Sequence, residues 1–135
     1  IYGDSRDIGI LRAKYNQLGA KPEFQRLRAA VPVLSIWDDH DYGENDAGAE
    51  YPMKRQSQQV FCDFWGEPAD SPRRSRDGIH AAYVFGPAGR RLQLLLPDLR
   101  FNRTPILARD LAGSDYEAWA KSLDAAKKPV YGPYE

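Results

Sequence analysis

A short apolar run, Val31 to Trp37, breaks off into Asp38-Asp39-His40-Asp41, with Glu44, Asn45 and Asp46 close behind. Five carboxylates, one histidine and one amide therefore occupy nine consecutive positions. The β-branched and apolar character of the run predicts a short buried strand. Pro32 lies near its start, where a missing amide donor is tolerated. In an α/β sheet the carboxyl end of a strand borders the ligand crevice. Like charges crowded there repel one another and lose solvation unless a cation neutralises them or the loop is open to water. Two readings stay open at this point. In one, the carboxylates hold a hard cation and His40 moves a proton beside it. In the other, the stretch is a solvated acidic turn, with Gly43 and Gly48 as turn residues.

The 135 residues suit one domain with a core of its own. Charge is balanced at 19 basic and 19 acidic residues, so no global field points to nucleic acid or an anionic membrane. No apolar run reaches the roughly 18 residues of a membrane span, and no signal peptide is visible. The chain starts at Ile1-Tyr2 and closes on a Pro/Gly-rich tail, which reads as an internal piece of a longer protein. A single Cys62 excludes an internal disulfide and leaves the redox compartment open.

Asp7 is placed to cap a helix over Ile8–Leu18, in which Ile8, Leu11, Tyr15 and Leu18 share a face and which Gly19 stops. Pro22 suits the first turn of a second short helix, with Phe24 and Leu27 on one side. A third helix is expected over Met53–Trp65, from the spacing of Val60, Phe61, Phe64 and Trp65, with Gly66 as its stop. Cys62 reads there as a small packing residue rather than a nucleophile. The proline-broken stretch Glu67–Gly78 is a loop with a basic knot of Arg73, Arg74 and Arg76, either a solubilising surface or a phosphate contact. Ile79–Phe85 and Leu92–Leu96 flank Gly86-Pro87-Ala88-Gly89 and predict a β-hairpin. His80 reads as an edge or packing histidine. Asp98 and Arg100 form either a structural ion pair or part of a site wall. A last helix is expected from about Ser114, and Lys127–Glu135 is expected to be irregular.

Taken together, the IYGD start, the WDDHDYGENDAG loop, YPMK, FCDFWGEP, SPRRSRDGIHAAYVFGPAGRRLQLLL and DLRFNRTP resemble the alkaline phosphatase D (PhoD-like) family of the metallophosphoesterase superfamily. The likeness runs from Ile1 to about Pro105. It implies an α/β fold, the central portion of an αββα sandwich over residues 1–135, and metal-dependent hydrolysis of phosphate monoesters or diesters. By resemblance the cofactors are Ca²⁺ and Fe³⁺, and the location is periplasmic or secreted. Tyr2 matches a ferric-ion ligand of the family motif Gly-Asp-x-x-Tyr, whose aspartate would precede Ile1. Asp39 stands where the superfamily has a metal-binding amide, and His40 matches the histidine that assists the leaving group. Asp38 and Asn45 are expected as supporting metal ligands, and Arg100 as a phosphate clamp. Late Gly-Asp-x-His motifs do not occur, and Pro97 and Leu99 depart from a usual Leu-Asp-Thr-Arg. An incomplete metal site, inactive alone, is therefore expected. The rival reading is a non-catalytic calcium-binding or scaffold module.

Overall fold

The computed structural model describes residues 1–105. The chain divides into two units, Ile1–Arg103 and Thr104–Glu135, and the elements below belong to the first. The expected helix from Ser114 and the irregular tail Lys127–Glu135 lie outside the described residues.

Helix α1 spans Ile8–Gly19, and its first turn is held by the Asp7 carboxylate, which accepts from the Gly9 amide at 2.7 Å. Helix α2, Pro22–Ala30, opens on proline, whose absent amide is no loss at that position. Helix α3, Asp39–Tyr42, falls inside the acidic loop. Helix α4, Lys54–Trp65, ends at Gly66 in the left-handed region (φ 74°), where a side chain would be strained. A single turn, α5, covers Pro72–Ser75 within the expected loop. Strands β1, Ala81–Phe85, and β2, Leu92–Leu96, pair antiparallel with Ala81 opposite Leu96 and Phe85 opposite Leu92. The described residues thus mix α and β structure, with a two-stranded sheet. None of their helices is long and apolar enough to cross a membrane.

The run Val31–Trp37 is not a strand, contrary to its composition. A strand exists only where a neighbour completes its hydrogen-bond ladder, and no described segment pairs with this one. Val31 and Leu34 are accordingly exposed, and only Trp37 is buried. Trp37 is nonetheless part of the core. Its ring meets Tyr42 at 4.9 Å and Phe61 at 5.5 Å, both edge-on, the favourable geometry for aromatic quadrupoles. Leu11 and Tyr15 of α1, Val60 and Cys62 of α4, Tyr51, Ile79 and Phe101 complete that core. Burial raises the Cys62 thiol pKa, which suits a packing residue and not a nucleophile.

Candidate functional site

The acidic loop begins with reciprocal capping. Asp38 accepts from the amide of His40 at 2.9 Å and from that of Asp41 at 3.4 Å, while the Asp41 carboxyl accepts from the Asp38 amide at 2.7 Å. This Asp-x-x-Asp box winds α3 and turns His40 outward on its first turn. The segment before α1 then lies along it. The amides of Gly3 and Asp4 both donate to the His40 carbonyl, at 2.9 and 3.3 Å, and the Ser5 amide donates to Gly43. Position 3 is crowded, since a Cβ there would sit 2.8 Å from Leu11 Cδ1 and 3.0 Å from the His40 carbonyl oxygen and would push one of them aside.

This approach delivers two side chains to the imidazole. His40 Nδ1 lies 2.6 Å from Asp4 Oδ1, and the Tyr2 ring stands 4.3 Å from the His40 ring. A carboxylate only accepts, so Nδ1 carries the proton and donates it to Asp4. Nε2 has no hydrogen-bond partner among the described residues. The hydrogen bond to Asp4 raises the His40 pKa, burial opposes it, and the charges of Asp39, Asp4 and Asp38 add to the rise. The ring therefore stays protonated above its ordinary range.

Asp39 turns the other way, into a partly buried contact with Arg100. Its Oδ1 accepts from Arg100 Nη2 at 3.2 Å and its Oδ2 from the Asp46 amide at 2.9 Å. Burial pushes this carboxyl up, but those amide bonds and the Arg100 charge outweigh it and hold the pKa below the ordinary value. Asp4 (φ 42°) and Asp46 (φ 57°) are the described non-glycine residues with positive φ. One, in the segment before α1, bonds His40, and the other, in the acidic loop, bonds Asp39, so both left-handed residues border these two contacts.

The remaining acids are matched by protein donors. Asp41 accepts from the Tyr15 hydroxyl at 2.9 Å, Glu44 pairs with Arg6 at 2.7 Å, and Asp46 accepts from the Asn45 amide at 3.0 Å. The carboxylates of the loop thus each have a donor from the described residues, Arg6 and Arg100 among them. Among the described residues no three of His, Cys, Asp and Glu converge on one point. Asp38 is engaged as a cap, Asp39 by Arg100, and Asn45 by Asp46, while Tyr2 is exposed beside His40. The Ca²⁺ and Fe³⁺ implied by the resemblance do not fit these residues by themselves. Of the expected site, Tyr2 with His40 and Asp39 with Arg100 form two contacts on α3. Asp98 donates nothing to an ion pair with Arg100. It accepts from Trp37 Nε1 and from the backbone amides of Ile79, Arg100 and Phe101, at 2.8 to 3.0 Å, and so holds the turn that carries Arg100.

Two site residues are absent from the sequence reading. Asp4 had no local signal, because its role depends on a contact across 36 positions. Arg103 holds the Asp46 carbonyl through Nη2, while its Nε and Nη1 are buried without partners among the described residues.

Burial, with a smaller push from the Asp38 carboxyl, raises Asp41 from 3.8 to about 6. For an acid with a raised folded-state pKa, the native state holds the proton longer than the unfolded chain. Its contribution to stability therefore falls as pH rises from about 4 to about 6. The size is on the order of 3 kcal/mol. Asp41→Asn should flatten the pH dependence of urea unfolding across that window. An unchanged slope would remove Asp41 as its source.

Comparison of the chain with protein-family models, curated proteins and solved structures gives no match.

Proposed function

We propose that this chain is part of an alkaline phosphatase D-like phosphoester hydrolase, acting on phosphate monoesters or diesters within an αββα sandwich. The observation that carries the reading is the meeting of two motifs. Tyr2 and Asp4 of IYGD reach His40 of WDDHD, with the Asp4–His40 bond at 2.6 Å and the two rings at 4.3 Å. Ester cleavage leaves an alkoxide or aryloxide that needs a proton. An imidazolium tied through Nδ1 and free at Nε2 is built to give one. Asp4 holds the tautomer and the charge. Arg100 has donors left over, its side chain contacting only Asp39 among the described residues, and these suit the oxygens of a phosphoryl group.

The described residues do not assemble a metal site, so the proton transfer and the phosphate contact are the steps assigned to this chain. A scaffold module is the alternative, favoured by the protein-matched charges of the acidic loop. The test is hydrolysis of 4-nitrophenyl phosphate and bis(4-nitrophenyl) phosphate by the intact protein, before and after chelation. Turnover of either ester, lost on chelation and restored by Ca²⁺ with Fe³⁺, is expected. No turnover of either ester under any of these conditions would leave the scaffold reading.

A further inference from the structure

The basic knot Arg73-Arg74-Arg76 divides once folded. Arg73 and Arg74 are engaged internally, by Glu67 at 2.6 Å and Asp63 at 2.7 Å respectively. Arg76 is not. Its carbonyl receives Arg55 and Gln58, each at 2.8 Å, but its side chain makes no hydrogen bond to any described residue. Its Nε is buried without a partner. Buried donors in folded proteins are almost always satisfied, so this orphan marks a guanidinium left unengaged by the described fold.

Arg76 lines a concavity of about 470 Å³ at the foot of the hairpin. His80 and Asn102 line it too, and neither side chain has a hydrogen-bond partner among the described residues. The wall between them is apolar, from Ala82, Leu95 and Pro97. Two carboxylates also border the space, but both are already matched. Asp77 is paired with Arg55, and Asp98 accepts four donors. The volume lies in the range of small-molecule sites, which combine apolar walls with a few convergent polar groups. A guanidinium, an imidazole and an amide facing apolar strand residues fit an oxyanion on an apolar body.

We propose that Arg76, His80 and Asn102 form a binding site for a small organic oxyanion, a phosphate-type or carboxylate headgroup carrying an apolar group. The guanidinium takes the headgroup oxygens in its fork, and the hairpin wall takes the body. No residue of the acidic loop lines this space, so the site stands apart from the proposed hydrolysis.

Titration of the intact protein with phenylphosphonate and with benzoate, followed by NMR, tests it. The C–P bond of phenylphosphonate is not a phosphoester, so binding is read without turnover. Saturable shifts of the Arg76 Nε–H and His80 ring signals are expected with at least one probe, and weaker shifts with inorganic phosphate, which lacks the apolar body. Arg76→Gln should weaken binding about tenfold or more, the usual weight of a charge-assisted contact. His40→Ala should leave it unchanged. Because the Arg76 side chain bonds none of the described residues, thermal unfolding of Arg76→Gln should match the parent. Shifts confined to other residues, such as Arg90 and Arg91, or equal affinity in Arg76→Gln, would overturn the assignment. Loss of binding in His40→Ala would place the anion at the acidic loop and overturn it as well.

Discussion

Replacing His40 with alanine lowers phosphoesterase turnover of the intact protein by about 10² to 10⁴-fold, the ordinary weight of a positioned acid. The side chain is partly exposed and outside the aromatic core, so the variant should remain folded. A structural histidine would give the opposite pair of results, lost stability with little change in turnover per folded molecule. Asp4 supplies a finer measurement. Its carboxylate raises the His40 pKa, and an acid acts only while it holds its proton. Activity should therefore fall as pH rises through the folded-state pKa of His40. Asp4→Asn keeps the size of the side chain and removes its charge, so it should move that alkaline limb to lower pH. A turnover profile that is the same in Asp4→Asn and in the parent would exclude the pair from the proton transfer, and parental turnover in His40→Ala would exclude the histidine.

The parts of this fold that could be read from sequence are those whose causes are local. Asp7, Pro22 and Gly66 carry the stereochemistry of helix ends, and each stands where its chemistry placed it. The hairpin follows from two apolar runs around a Gly-Pro-Ala-Gly connection, with its first strand starting two residues late. What could not be read depends on partners distant in the chain. Val31–Trp37 has the composition of a strand, but composition does not supply a ladder. The Asp38-x-x-Asp41 capping box was hidden because its carboxylates count equally well as metal ligands. Asp4 reaches His40 only through a left-handed backbone that no neighbouring residue announces. Arg73 lies in the most hydrophilic stretch of the chain, which reads as solvated, yet its side chain is nearly all enclosed.

Arg73→Ala should cost about 3–5 kcal/mol, the range for removing one partner of a buried ion pair. The guanidinium spends every face on the protein. Nη1 donates to Glu67 Oε1 at 2.6 Å, Nε to the Ile79 carbonyl and Nη2 to the Ser35 carbonyl, both at 2.7 Å. Its carbon stands 5.1 Å from the Phe61 ring centroid. Alanine would leave the Glu67 carboxylate with Ser71 but without its charged partner, and two carbonyls without this donor, in addition to a void. Lysine should recover only part, because one ammonium cannot reproduce a planar fork to three acceptors. The pair also has a pH signature. Burial pushes Glu67 up, but its bonds to Ser71 and Arg73 hold its pKa below 4.5. A depressed acid contributes stability above its unfolded pKa and loses it as pH falls through the folded value, so the deficit of Arg73→Ala should shrink in acid. Urea unfolding at constant m-value measures both effects. A change within about 0.5 kcal/mol, as for an ordinary surface substitution, would reduce Arg73 to a wet side chain. The consequence for the candidate site is direct. Ser35 lies two residues before Trp37, so the Arg73 bond fixes the approach of the chain to α3. A folded Arg73→Lys protein should then show a loosened Asp4–His40 contact, seen as a lower alkaline limb in its turnover profile.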